Sequence, residues 1–293
     1  MEEETTIASI IIDSINSIFQ TLFSSIDTNV SSILDEVTFI NSDILDSSYF
    51  SFVFGRSSTS GILLVANSLI LGFLLYYSAR LLLSHLLITQ TERPTSFILK
   101  LLFFGICMNS SLWICERMIF FNDAICSLIQ SVGEDLFKCS IDFSGLFNKI
   151  NSMIVIEQNN FNIFSIDGIL KSFLSISSMN LAFTYSIRFI LVKVFVLIAP
   201  FAFLSLTNQA TSSFFKAWLK CFITLLFVQI FIALVLVILF SMDFNPNNTL
   251  SKFLMCGAIF SLLKANSFVR QFLGGISTDI SAGIQGFSSM LKT

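Results

Sequence analysis

Charge is what this sequence has least of. Only 12% of its 293 residues are charged, against about 25% in an ordinary globular domain, so a water-facing surface would be short of well-hydrated groups. A net charge of −3 gives no basic field for holding nucleic acid along the whole chain. One histidine cannot build a metal cluster. The six cysteines, at positions 107, 115, 126, 139, 221 and 256, form no Cys-x-x-Cys pair, which removes the usual thiolate metal and redox motifs. No P-loop, Gly-x-Ser-x-Gly elbow or Gly-x-Gly-x-x-Gly occurs, so no cofactor is expected and nucleotide hydrolysis is expected to come from other proteins.

Apolar residues are plentiful instead. They make up 54% of the chain, with 35 phenylalanines and a mean hydropathy of +0.83. Lipid solvates such a composition, and a chain that crosses lipid in apolar runs of this length does so as helices. The expected fold class is all-α, a polytopic membrane protein of about five spans with added amphipathic helices. Its start, Met1-Glu2-Glu3-Glu4, is the opposite of the basic opening of a secretory signal, so insertion is expected to rest on internal spans.

The first span is the charge-free run Ser57–Ala79, which at 1.5 Å per residue crosses a core of ~30 Å; Tyr76, Tyr77 and Arg80 close it as interfacial anchors. The second runs from Pro94, suited to a first helical turn, to about Arg117. A third is expected from about Phe189 to Asn208, with Ser172–Ile187 as an amphipathic lead-in. That register puts Arg188 at a rim, because each charge held deep in lipid costs roughly 2.5–3.5 kcal/mol. The fourth and strongest is Cys221–Met242, free of charge throughout. The fifth, about Thr249 to Leu263, is short and carries Lys252.

Lysine and arginine set the orientation. Nine acids (Glu2, Glu3, Glu4, Asp13, Asp27, Asp35, Glu36, Asp43, Asp46) precede the first span against one base, Arg56. The first hairpin connection is basic, with Arg80, Arg93 and Lys100 against Glu92, and so is the turn with Lys216 and Lys220. The region between Glu116 and Lys171 is acid-rich, and Lys264, Arg270 and Lys292 follow the fifth span. The pattern predicts an external N-terminus and a cytoplasmic C-terminus. Residues 1–56 then form an extracytoplasmic amphipathic helical region and 57–116 a transmembrane hairpin. Residues 117–187 form an extracytoplasmic amphipathic loop region, 188–263 the transmembrane core and 264–293 a cytoplasmic amphipathic tail.

In the first region Ile7, Ile11, Ile15, Ile18, Leu22, Ile26, Val30 and Ile33 recur every three or four residues, one apolar stripe on a helix. Such a helix either packs on its own bundle or the membrane surface, or associates with other subunits. Short amphipathic helices are expected between Glu116 and Lys171. In the tail, Gly274-Gly275 interrupts a helix, and Ile276, Ile280, Ile284 and Phe287 resume an apolar face. Cys126 and Cys139 both fall on the outer side, where pairing is chemically possible; the sequence leaves it open.

Arg188 and Lys193 are the two charges inside the transmembrane core that hint at function, either as rim anchors or as lining of a channel formed between subunits. Pro200 removes a backbone donor and weakens its helix locally. Phe214, Phe215 and Trp218, the last between Lys216 and Lys220, form an inner-interface corner between the third and fourth spans.

These residues carry a resemblance. The pair Ala199-Pro200, the polar turn Thr207–Ser213 and then Phe214-Phe215-x-x-Trp218-Leu219 resemble the TrbL-type polytopic subunits of type IV secretion and conjugation machines. The segment Phe268–Gly286 is similar to members from low-GC Gram-positive conjugative elements. The motif covers some 35 residues; the topology covers roughly residues 60–290. The acidic N-terminal region has no counterpart, and the fifth span is short for the family.

The resemblance implies a non-catalytic channel or scaffold subunit in the bacterial plasma membrane. Its implied partners are further copies of itself, other membrane subunits, the machine's ATPases and a lytic-transglycosylase component, with transient contact to translocating DNA or protein. The alternative reading is a small-solute transporter acting alone. No paired acids or nucleophile–base arrangement at a common depth favours an enzyme.

Overall fold

Alternation of apolar and polar residues at helical period makes the first element a 32-residue helix, α1 (Ile7–Thr38). A 3₁₀ turn at Ser42–Leu45 and a short helix, α2 (Ser48–Phe54), follow; Ser47 caps α2, and Gly55 ends it in the left-handed conformation that glycine adopts freely. The remaining helices are α3 (Ile62–Leu87), α4 (Pro94–Asn109), α5 (Ser111–Phe137), α6 (Phe143–Met153), α7 (Ile166–Ser205), α8 (Ser212–Ser241) and α9 (Thr249–Leu273). The computed structural model describes residues 7–55, 61–87, 94–153, 165–208, 210–242 and 248–273, and no strand occurs among them. The Gly274-Gly275 joint, the tail beyond it and residues 243–247 of the turn after the fourth span lie outside the described residues.

Four of these helices are long and apolar enough to cross a membrane: Ile62–Ser84 within α3, then α7, α8 and α9. The pair α4 and α5 makes a fifth if counted as one bent span. The chain is therefore an all-helical, multi-pass membrane protein.

Four elements differ from their sequence-based outlines. The fifth span, expected to be short and to end near Leu263, runs 25 residues to Leu273. The second span is broken, with α4 and α5 meeting at 57°. At the break, the Asn109 amide donates to Gly105 O (2.9 Å) and exchanges hydrogen bonds with Asn67 of α3. Such side chains compete with the helical ladder and bend it. The region expected to hold short amphipathic helices, Glu116 to Lys171, contains most of the 27-residue α5, all of α6 and the first turn of α7. The third span and its lead-in are one uninterrupted 40-residue helix that runs on through Pro200.

The bundle has two apolar cores. One gathers Leu34, Phe143, Leu146, Tyr185, Ile232 and Ile259, from α1, α6, α7, α8 and α9. The other gathers Phe54, Met108, Ile119, Val196, Trp218 and Phe222, from α2, α4, α5, α7 and α8. Helices α7 and α8 belong to both, and α7, which packs against most of the other helices, is the spine. Helix α1 lies along α7 and α6. Asp27 meets Lys171 and Thr38 meets Arg188, so both pairings advance in the same direction and α1 and α7 run parallel.

Candidate functional site

Arg188 is the natural place to begin, because a guanidinium does not shed its charge inside a protein. Its side chain is fully enclosed, at 0% exposure. Nη2 donates to the carbonyl of Thr38 at 2.6 Å. Thr38 ends α1, and the last carbonyls of a helix lack intrahelical donors and carry partial negative charge. The cation therefore caps a helix C-terminus from another part of the chain. Among the described residues Arg188 makes no ion pair, and its Nε and Nη1 have no hydrogen-bond partner.

A second clamp holds the residues just past α1. Gln229, the polar residue in the middle of the most apolar helix, donates from Nε2 to Ile40 O at 3.4 Å. Its Oε1 accepts from Asn122 Nδ2 of α5 at 3.3 Å. One turn before Arg188, the Tyr185 hydroxyl donates to Leu262 O of α9 at 2.9 Å. Side chains from α7 and α8 thus hold Thr38 and Ile40, Asn122 of α5 braces Gln229, and α9 is tied to the same level of α7.

Lys171, Lys252 and Lys149 also find partners on other helices. Lys171 pairs with Asp27 of α1 and donates to Asn151 Oδ1 of α6 at 2.6 Å. Lys252 pairs with Asp167 at 2.5 Å, joining the first turns of α9 and α7. Lys149 of α6 donates to Phe240 O and Met242 O, both at 3.1 Å, and so caps the C-terminus of α8. Asp35 caps α6 in turn: its carboxylate accepts from Phe143 N (2.7 Å), Ser144 N (3.2 Å) and Ser144 Oγ (2.7 Å). Burial pushes the Asp35 carboxyl above its ordinary range, outweighing the hydrogen bonds from residues 143 and 144 that pull it down.

Lys193, five residues beyond Arg188, faces different surroundings. It is half-buried, and its Nζ lies 4.7 Å from the centroid of Phe189, the residue one turn earlier. The structure does not bring Arg188 and Lys193 together. Pro200 is buried within α7.

The corner after α7 is an aromatic stack. Trp218 is buried, not set out at the interface as its flanking lysines suggest, and its Nε1 donates to Phe195 O at 2.9 Å. Its ring stacks on Phe222 at 5.5 Å and leans on Phe203 and Phe215, each at 5.7 Å. Phe203 lies one turn past Ala199-Pro200, so the two halves of the motif meet across the turn. Phe214 points away and is exposed. Cys126 is buried, Cys139 is exposed, and both are free thiols.

Sequence reasoning missed the Lys171–Asp27 and Lys252–Asp167 pairs, the three helix caps and the Gln229 clamp. Only Gln229 carried a signal in advance, as a lone amide in a charge-free span. Among the described residues no group of three His, Cys, Asp or Glu side chains is placed to hold a metal ion. Comparison with known families, curated proteins and solved structures finds no match to this chain.

Proposed function

We propose that this chain is a non-catalytic channel or scaffold subunit of a type IV secretion machine for conjugative DNA transfer, built from several copies in a bacterial plasma membrane. What supports this most is the corner. Ala199 near the end of one apolar helix and Phe215, Trp218 and Leu219 near the start of the next, residues that carry the resemblance, pack into one apolar core. A corner of this kind fixes the angle between two spans, which suits a part that holds an assembly in shape. The N-terminus lies outside and the C-terminus in the cytoplasm, as the lysine and arginine distribution favours. Partners are the lipid bilayer, other membrane subunits of the machine and its ATPases, with transient contact to the DNA or protein in transit.

Deleting the gene from the conjugative element that carries it, with donor growth followed in parallel, tests this reading. Transfer is expected to be lost while growth stays normal. Unchanged transfer overturns it, and solute uptake or efflux by the purified protein in liposomes would move the assignment to a stand-alone transporter.

A further inference from the structure

We infer that α7 is the seam along which copies of this chain associate, parallel and in register about Asn180. The side chains that α7 leaves exposed step from Ile166 to Val194 in alternating intervals of three and four residues, through Ile169, Phe173 and Ile176 and on from Phe183. This is the spacing that keeps one edge of a helix against a partner helix over many turns. Asn180 occupies the central step and is also exposed. Among the described residues its side-chain amide has no partner, while its backbone carbonyl is taken by Thr184 Oγ1.

Lipid does not suit this edge. It runs roughly 42 Å at 1.5 Å per residue, against a hydrocarbon core of ~30 Å, and a usual tilt of about 20° shortens it little. About a quarter of the apolar edge therefore has no hydrocarbon to cover it. Lipid also offers an amide no hydrogen bond, which makes Asn180 costly wherever the edge lies in the membrane.

A second copy answers both needs. Copies of one membrane protein insert in the same orientation, so two α7 helices meet parallel, with Asn180 opposite Asn180. The amide carries both donors and acceptors and can satisfy itself across the contact. A single asparagine on an otherwise apolar seam fixes register and subunit number at some cost in stability. The inference rests on the multi-copy part of the function proposed above and on no other part of it.

The test is oxidative cross-linking of the full-length chain in lipid nanodiscs. Phe173→Cys and Ile187→Cys, made separately, are each expected to give a covalent dimer several-fold above the background set by the unsubstituted chain with its own six cysteines. Leu254→Cys, exposed on α9, should stay at background. Absence of dimer at both α7 positions, in protein whose mass is a multiple of the chain, overturns the seam and leaves the multi-copy function standing. Equal linking at Leu254 also overturns the seam, since random collision then accounts for it. A single-chain mass overturns both. Asn180→Leu is expected to broaden one subunit number into several; one unchanged mass overturns its role in register.

Discussion

Arg188 reaches the last carbonyl of α1 with one nitrogen of its guanidinium and spends the rest of its charge inside the protein. The cation thus holds the N-terminal helix in place from within the bundle. Truncating it to alanine removes a charge-assisted hydrogen bond and leaves a cavity, a loss of about 3 kcal/mol. Thermal unfolding in detergent should show a clear drop for Arg188→Ala. Arg188→Met fills the space without the buried charge, so its midpoint should stay near wild type while protease cleavage around residues 38–47 rises. Equal midpoints for Arg188→Ala and wild type would remove the anchoring role.

At the corner, Trp218→Phe and Trp218→Ala separate the hydrogen bond from the packing. Losing the indole N–H that meets Phe195 O should cost about 1 kcal/mol, and losing the whole ring about 3–5 kcal/mol. Trp218→Ala should also reduce assembly more than insertion, because α8 is apolar enough to insert unaided. Membrane fractionation combined with mass in nanodiscs reads both effects. Normal assembly of Trp218→Ala would detach the corner from the proposed scaffold role.

Asp27 and Lys171 are buried together, so each alone is an uncompensated charge once its partner is gone. Either single substitution to alanine should cost about 3–5 kcal/mol. The double substitution should cost clearly less than the sum. Additive losses in a double-mutant cycle would mean that the pair is not coupled.

Asp35 gives a pH dependence of known sign. Its folded-state pKa is raised, so the folded protein binds the proton more tightly than the unfolded chain does. The stability this group contributes is fully present below its unfolded pKa and is lost as pH rises through the folded value. As pH rises past the ordinary aspartate range of about 4, the unfolding midpoint of wild type relative to Asp35→Asn should therefore fall. A difference that rises with pH would reverse the assignment.

Cys139 tests the orientation. It is exposed in the turn after α5, on the side proposed to lie outside the cell. A membrane-impermeant maleimide applied to intact cells should label the chain, and Cys139→Ser should remove that label. Labelling only after lysis would place this end in the cytoplasm.

How much of this was legible in the sequence depends on where each partner lies along the chain. The charge-free runs at Ser57–Ala79 and Cys221–Met242 mark α3 and α8 unaided, because insertion is decided locally. The continuity of α7 was not legible. A lone Arg188 argues for a rim until its carbonyl partner in α1 is known, and nothing near position 188 announces that partner. The break at Ser110 is similar, since Asn109 bends its helix together with Asn67 from the preceding one. The stripe on α1 was legible as a stripe but not in its facing. Asp27, Leu34 and Thr38 turn inward while Ile18 and Leu22 stay exposed, because the polar groups of α1 are the ones with partners on α7.

The clamp on Thr38–Ile40 also sets an order of events. Thr38 and Arg188 are 150 residues apart, and Ile40 and Gln229 are 189 apart. The segment made first therefore has nothing to dock against until the spans that receive it have left the ribosome and entered the bilayer. Contacts this distant in sequence close late and slowly. Until they close, Asp27 and Asp35 lack the partners they meet in the finished bundle.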